Sequence, residues 1–377
     1  MASPALKRCV LGAIILCALW LVSSRGPPRS SLGFAALAPQ NFSSSFISEM
    51  PSPIVPATPY TAAVVYLLTT LPDRRPKDSI FRSLSLLQKN VPWRYEWPIL
   101  LFHAGPYDTD VGQAAFLDKL RITAAANNLT AQDTETLLKR IEFIHVGHTL
   151  PQGIPADPKE YKPVWLDMWP GYHHMCAFYS YKIFSHPRVK DLTFYFRLDD
   201  DSFIREPVCF DPIEYLHAAK KSFAFRAEGT DWQGVTAGMW PFVSNYAVRY
   251  PEVEDRLRGN HWPWAPKRFW PNYGQGLGFP GFGGNFEVVR IARFQTPEVK
   301  AFFHELQSDQ TRFYHIRWSA SFLPWGDFDL FFLGHAPVRK ATVYVFLNVT
   351  EEVHYMGEVE YGHKKKNYPG RGCTPLP

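Results

Sequence analysis

The segment LTFYFRLDDDSFIR, residues 192–205, joins a run of aromatic and apolar residues to three consecutive aspartates. The apolar run is short and rich in residues that favour β-structure, so it predicts a buried strand that ends in an acidic turn. In open α/β sheets, ligands bind beyond the carboxyl ends of the strands. The position of Asp199, Asp200 and Asp201 therefore predicts a binding site at the edge of such a sheet.

Similar strands alternate with helical patterns on the amino-terminal side of this segment. The stretches TAAVVYLL (61–68), WPILLFHAG (97–105) and IEFIHVG (141–147) predict strands, and residues 78–88 and 131–140 predict helices. Alternation of strands and helices is typical of an α/β domain with a mostly parallel sheet that helices cover on both faces. The fold class is therefore predicted to be α/β.

The carboxyl-terminal half has a less regular pattern. Residues 229–282 are rich in Trp, Pro and Gly and predict long loops that shape a cleft. A helical pattern returns at PEVKAFFHELQ (297–307), whereas ATVYVFLNV (341–349) fits either a strand or a buried helix.

The composition indicates a folded protein that does not bind nucleic acid. Of 377 residues, 46% are hydrophobic and 16% aromatic, which is far from the composition of a disordered chain. The net charge of +5 is spread along the chain, and its one short basic run is Lys364–Lys366. Because nucleic-acid-binding proteins concentrate their basic residues, this run is interpreted as a solvated tail.

The amino-terminal residues predict that the protein is targeted to the secretory pathway. Lys7 and Arg8 precede sixteen uncharged residues, 9–24, which as a helix would be about 24 Å long. A cleaved signal peptide and an uncleaved signal anchor both fit, and we favour a transmembrane anchor, with residues 1–8 in the cytoplasm. Residues 25–58, rich in Pro and Ser, then predict a stem, followed by a lumenal domain at 59–370 and a tail at 371–377.

Sequons and cysteines are compatible with a lumenal location. Three Asn-x-Ser/Thr sequons predict glycosylation at Asn41, Asn128 and Asn348. Three of the five cysteines, at positions 176, 209 and 373, lie outside the apolar segment. One disulfide and one thiol would account for them, but the pairing cannot be read from sequence.

The acidic turn has the chemistry of a divalent-cation site. Carboxylates at positions i and i+2 of a tight turn can share Mg²⁺ or Mn²⁺, which prefer oxygen ligands. Nucleotide-diphosphate sugars need such a cation, because cleavage of the sugar–phosphate bond leaves charge on the diphosphate. A solvated acidic turn without metal is the alternative interpretation.

Five segments occur in one order across two hundred residues. They are GYHHMCAFYS, FYFRLDDDSF with FDPIEYL, GGNFEVVRIARFQTPEV, HAPVRKA and EVEYGHKK. Together they resemble the fungal-type Golgi α-1,2-mannosyltransferases, glycosyltransferase family 15, from about Tyr60 to Tyr368. The resemblance implies a single-pass type II Golgi membrane protein whose lumenal catalytic domain has a GT-A-like fold.

The resemblance also implies an activity. The family transfers mannose from GDP-mannose to a mannose-terminated glycan on a glycoprotein or polysaccharide, with retention and with Mn²⁺, for which Mg²⁺ is a possible substitute. A transferase of the same fold that uses another nucleotide sugar is an alternative. A lumenal glycan-binding protein that has lost turnover is a second alternative, of another class.

The resemblance implies roles for individual residues of this chain, position by position. The glutamate that binds the metal in the family falls on Asp199, a shorter acid, so Asp201 can share this role. The family's late histidine near the metal matches His363, which could otherwise be a surface residue of a basic tail. Arg197 and Asp200 are predicted to bind the nucleotide-sugar donor, although Arg197 could equally pair with an acidic side chain.

Two residues are implied to be catalytic. Glu287 in GGNFEV matches the family's candidate nucleophile, and a carboxylate below the anomeric carbon would serve as nucleophile or stabilise positive charge. Its alternative is a structural ion pair with Arg290 or Arg293. Tyr172 matches a tyrosine close to the sugar, where a core tyrosine would otherwise be expected.

The chain also departs from the family pattern. Ala177 stands where the family has an arginine that could help to hold the donor. Residues 319–333 form a largely apolar insert, either a loop over the cleft or translated non-coding sequence. After the insert, His335 replaces an aspartate of the family.

Overall fold

The computed structural model describes residues 58–68, 78–166, 169–261, 278–318, 336–363 and 366–372. The segments predicted at 1–8 and 9–24 and residues 25–57 of the stem predicted at 25–58 lie outside these residues. The Asn41 sequon, the insert 319–333 and His335 also lie outside them. Among the residues that are described, no helix is both long enough and apolar enough to cross a membrane.

The described residues contain twelve strands, which form three sheets. Their bounds are β1 (Ala62–Leu67), β2 (Ile99–His103), β3 (Ile141–His145), β4 (Phe194–Leu198), β5 (Ser202–Ile204), β6 (Phe223–Phe225), β7 (Glu228–Asp231), β8 (Phe279–Phe282), β9 (Phe286–Arg290), β10 (Val353–Tyr355), β11 (Tyr361–His363) and β12 (Lys366–Tyr368). The main sheet has seven strands in the order β10-β6-β9-β4-β1-β2-β3. Strands β1 to β4 are parallel where they pair, and β9 is antiparallel to both of its neighbours.

Helices cover both faces of this sheet. Their bounds are α1 (Ser79–Asn90), α2 (Asp110–Ala126), α3 (Ala131–Lys139), α4 (Pro158–Tyr161), α5 (Gly171–Ser180), α6 (Pro212–Ala218), α7 (Met239–Arg249), α8 (Pro251–Gly259), α9 (Pro297–Gln307), α10 (Ala336–Phe346) and α11 (Val349–Glu352). The predicted α/β fold, with a mixed and mostly parallel sheet between helices, is confirmed.

The strands and helices predicted before β4 all occur within a few residues of their expected bounds. Within residues 229–282, where long loops were predicted, the structure also contains α7 and α8, and residues 262–277 of that stretch lie outside the described residues. Its Trp and Pro content hides two amphipathic helices, and Pro251 occupies the first turn of α8, where proline is tolerated. The ambiguous stretch at 341–349 is mostly helical, in α10.

Two hydrophobic cores lie on opposite faces of the main sheet. The alternation of side chains along β4 sends Phe194 and Phe196 into one core and Tyr195 into the other. Every residue of β4 is buried, as expected for a central strand covered on both faces. Arg197, two residues after Tyr195, shares the face of Tyr195 and is fully buried.

The small sheet β12-β11-β5 brings a distant segment to the acidic turn. Strand β5 starts directly after Asp201, and it pairs antiparallel with β11 so that Ser202 lies opposite His363. Because β11 is close to the end of the chain, the paired residues Ser202 and His363 are 161 positions apart in the sequence. The sheet therefore positions a histidine beside the aspartates.

Candidate functional site

The acidic turn connects β4 to β5 at the carboxyl edge of the main sheet. The amide of Asp199 donates to the carbonyl of Asn285 at 3.3 Å, and the amide of Ser202 donates to the carbonyl of Asp199 at 3.1 Å. The side chains of Asp199 and Asp201 are 27% and 13% exposed. Both carboxylates are therefore partly sheltered and still accessible to a ligand.

Asp199, Asp201 and His363 form a compact set of possible metal ligands. One ligand atom from each lies within 4.8 Å of the others. Nε2 of His363 is 2.9 Å from Oδ1 of Asp201. Two carboxylates and one imidazole suit Mn²⁺, and the carboxylates suit Mg²⁺. These three ligands thus fit the divalent cation expected for this site.

Arg197 pairs with one of these acids. Its Nη2 is 2.6 Å from Oδ1 of Asp199, and its guanidinium lies over the ring of Tyr179. Burial acts to lower the pKa of Arg197, but Asp199 and Tyr179 outweigh it, so the pKa is raised and the guanidinium stays charged. Arg197 thus makes the acid pair that was one of its two expected roles, and its role in binding the donor stays a prediction.

Asp200 is largely buried and does not belong to the ligand set of Asp199, Asp201 and His363. It is 8% exposed, and its charge contributes to raising the pKa of Tyr66, for which burial is the main cause. The structure therefore separates the middle aspartate from the pair that, with His363, forms the metal-ligand set.

Glu287 lies on β9 opposite Arg197 of β4. Residues paired in this way are close neighbours on one face, and Asp199 follows Arg197 by two residues, about 7 Å further along the strand. Glu287 is 1% exposed and accepts a hydrogen bond from the hydroxyl of Tyr195 at 2.8 Å. Its other oxygen accepts from Nε of Arg339 at 3.2 Å.

The ion pair of Glu287 differs from the structural alternative considered above. Arg293 binds Glu352 through two contacts of 2.7 Å, and Arg290 donates to the carbonyl of Lys221. The partner of Glu287 is Arg339, whose side chain is fully buried. The alternative of a structural ion pair thus occurs with Arg339 as the partner, because the side chains of Arg290 and Arg293 make other contacts.

Tyr172 lies in the first turn of α5. The guanidinium of Arg317 is 5.2 Å from the centre of its ring. Burial raises the pKa of Tyr172 well above its ordinary value, and the charges of Asp231 and Asp199 act in the same direction. Tyr172 therefore remains protonated at neutral pH.

The next two residues of α5 predict an acid-sensitive fold. Burial lowers the pKa of both His173 and His174 to about 3, whereas an unfolded histidine titrates near 6.5. Between about pH 6.5 and 3 the unfolded chain binds protons that the folded chain excludes, so the free energy of unfolding falls as the pH falls. The slope is at most about 1.4 kcal/mol per pH unit for each ring.

Urea denaturation at about pH 7 and pH 5 measures this slope. His174→Gln, which removes one titrating ring, should make the dependence on pH shallower. His304→Gln changes an exposed histidine of α9 and should leave it unaltered. Equal slopes for the native chain and His174→Gln would contradict the assignment.

Several residues at the site had no predicted role. Arg339 belongs to the segment HAPVRKA, and the available signal was that it and Lys340 are the two charged residues of an otherwise apolar helix. Tyr195 precedes Arg197 by two residues, so the period of a strand could have placed it on the same face. Arg317 and Asp231 have no local signal, because only tertiary packing brings them to Tyr172.

The structure also describes the other residues that the sequence analysis singled out. Ala177 is fully buried in α5, so it contributes packing and no charge. Asn128 and Asn348 are exposed, as sequons require, and the side chain of Asn348 caps α11 by accepting from the amides of Thr350 and Glu351. Cys209 is disulfide-bonded.

Comparisons with known proteins agree with this architecture. Residues 58–371 match the protein family described as "Glycolipid 2-alpha-mannosyltransferase". The chain is 25% identical over 205 residues to O-glycoside alpha-1,2-mannosyltransferase omh1 of Schizosaccharomyces pombe, covering 54% of this chain and 45% of that protein. It is 24% identical over 196 residues to alpha-1,2 mannosyltransferase KTR1 of Saccharomyces cerevisiae, covering 51% and 43%. The matches thus span less than half the length of these curated relatives.

Solved structures show the same fold. Core-mannan synthase A from Aspergillus fumigatus, in its Mn/GDP form, superposes with a TM-score of 0.58 at 17% identity, covering 84% of this chain and 79% of that chain. The mannosyltransferase Ktr4p from S. cerevisiae superposes with a TM-score of 0.60 at 17% identity, covering 84% and 73%.

Proposed function

The chain belongs to the family described as glycolipid 2-alpha-mannosyltransferase, and from that premise we propose that it is a retaining α-1,2-mannosyltransferase. It would move mannose from GDP-mannose to a mannose-terminated glycan on a glycoprotein or polysaccharide. The observation that carries the proposal is the convergence of Asp199, Asp201 and His363 at the carboxyl edge of the sheet. That edge is where ligands of α/β sheets bind.

These three residues would hold Mn²⁺, with Mg²⁺ as the alternative. The cation would supply compensation for the negative charge that develops on the departing diphosphate. Arg197 keeps Asp199 oriented through its buried guanidinium, and the pairing of β5 with β11 holds Asp201 against His363. The chain thus builds the site from three strands, which fixes the separation of the ligands.

Glu287 and Tyr172 are the proposed catalytic residues. Arg339 and Tyr195 hold the two oxygens of Glu287, so its carboxylate has a defined position next to Arg197 on the same face. A carboxylate so placed can face the anomeric carbon as nucleophile or stabilise positive charge there. Tyr172 stays protonated, because of its raised pKa, and can donate a hydrogen bond to the sugar or the phosphate.

The location follows from the same proposal. Residues 1–8 would be cytoplasmic and 9–24 would anchor the protein in the Golgi membrane, with the stem and the catalytic domain in the lumen. A disulfide at Cys209 is in keeping with an oxidising compartment. The exposed sequons at Asn128 and Asn348 are accessible to glycosylation there.

A panel of nucleotide sugars tests the function. The full chain is incubated with Mn²⁺, α-methyl mannoside and, in separate reactions, GDP-mannose, UDP-glucose or UDP-galactose. The products are separated by chromatography, and their mass and linkage are determined. Transfer from GDP-mannose with an α-1,2 linkage is the expected result. Transfer only from UDP-glucose or UDP-galactose would show that the proposed donor is wrong, while a transferase of this fold would remain the correct class. No transfer from any donor, with GDP still bound, would favour a protein that has lost turnover.

A further inference from the structure

A second group of possible metal ligands lies at the same edge of the main sheet. His103 ends β2 and His145 ends β3, and the two residues pair in register. Asp108 closes the short 3-10 helix Pro106–Asp108 that follows β2. One ligand atom from each of the three residues lies within 4.8 Å of the others.

The distances suit a shared cation. Nδ1 of His145 is 2.9 and 3.0 Å from the two oxygens of Asp108, and the rings of His103 and His145 are 5.9 Å apart. Two ligands on a tetrahedral Zn²⁺, each at about 2.0–2.1 Å, are themselves about 3.3 Å apart. Only a small displacement would therefore admit a metal between the imidazole and the carboxylate.

The buried member of the group supports a ligand role. His103 is 2% exposed, and its Nδ1 makes no hydrogen bond of ordinary geometry with the described residues, although the backbone of Gly105 is near. Asp108 and His145 are about half exposed, which leaves the group open to solvent on one side.

This group is separate from the aspartates of β4. In the sheet order, β1 lies between β4 and β2, and β3 lies beyond β2. With neighbouring strands about 4.8 Å apart, His103 is about 10 Å from the strand that leads to Asp199. One ion cannot bridge the two groups.

We propose that His103, Asp108 and His145 bind a second divalent cation, of the borderline class represented by Zn²⁺. Two imidazoles and one carboxylate are a ligand set that proteins use for Zn²⁺, with water in the remaining position. Imidazole ligands favour Zn²⁺ over Mg²⁺, whereas the two carboxylates at Asp199 and Asp201 favour Mn²⁺ or Mg²⁺. The ion would join the ends of β2 and β3 to the segment that contains Asp108.

Zinc titration calorimetry tests the site without any sugar donor. The full chain is stripped of metal and titrated with Zn²⁺ in an Asp199→Asn, Asp201→Asn background, so that the first site does not contribute. We expect one equivalent to bind. His145→Ala or Asp108→Asn should weaken zinc binding at least about tenfold. Even the loss of a residue that only hydrogen-bonds to a metal ligand lowers metal affinity about 10–100-fold.

Controls keep the result interpretable. Both His145 and Asp108 are exposed enough for their variants to fold, which circular dichroism verifies. His304→Ala removes an exposed histidine of α9 and should leave the affinity unchanged. If the double-asparagine background does not fold, the native chain serves instead, and its zinc stoichiometry should fall by one in His145→Ala.

Two results would overturn the proposal. One is no zinc bound by the background chain, and the other is binding that His145→Ala and Asp108→Asn leave unchanged. Either would mean that the contact of His145 with Asp108 is a hydrogen bond without metal. Since no donor is present, failure here leaves the transferase proposal untouched, and loss of transferase activity would leave the zinc result untouched.

Discussion

The variant with both Asp199→Asn and Asp201→Asn is expected to lose manganese-dependent GDP binding and with it mannose transfer. Two of the three clustered ligands become neutral amides, which bind hard cations poorly, while His363 remains. The loss in metal affinity should be at least about 100-fold, because two ligands are removed. Calorimetry of GDP binding with and without Mn²⁺ measures the effect directly.

Asp191→Asn is the matched control. Asp191 precedes the same strand and is exposed, and its one ion pair with the residues that the structure describes is a distant contact with Lys190 at 3.9 Å. It should leave GDP binding and transfer unchanged. GDP affinity that stays the same after metal removal, or in the double variant, would show that the aspartates do not hold the cation.

Glu287→Gln is expected to lower transfer on the order of 10³-fold or more while GDP still binds with Mn²⁺. Glutamine keeps the shape of the side chain and can still accept from Tyr195, but it is not a nucleophile and has no charge. The same change also breaks the buried ion pair with Arg339. Removal of one partner from a buried pair costs about 3–5 kcal/mol, so the folded fraction must be measured together with transfer.

Two further variants separate the chemical role from the structural one. Arg339→Met also breaks the buried pair but retains the carboxylate, so it reports the loss of stability. Glu228→Gln breaks the contact of an exposed glutamate with the largely buried Lys340, next to Arg339 in sequence, and should cost less stability than Arg339→Met with no loss of transfer. If transfer in Glu287→Gln falls only in proportion to the folded fraction, Glu287 is a structural residue.

The sequence was sufficient for the elements of the amino-terminal half. Strands β1 to β4 and helices α1 and α3 are visible as short apolar runs and helical periods, which depend on residues a few positions apart. The acidic turn after β4 could be placed at the ligand-binding edge for the same reason. Between residues 229 and 282 the composition concealed α7 and α8, because aromatic residues and proline at helix starts resemble loop signals.

Family resemblance supplied what periodicity could not. The five ordered segments predicted a family, and the match of residues 58–371 confirms it. The roles of Asp199, Asp201, His363, Glu287 and Tyr172 stay predictions until the variants above are measured. The environment of these residues is now defined, and it includes a buried partner for Glu287 that the resemblance did not indicate.

By itself, the amino-acid sequence determined which short stretches become strands and helices and that an acidic turn ends the central strand. Only the tertiary structure decided what surrounds that turn. His363 reaches Asp201 through the pairing of β5 with β11, and Arg339 reaches Glu287 from a helix 52 positions away. Periodicity is a property of neighbouring residues, whereas these contacts depend on how whole elements pack, so no local pattern contains them.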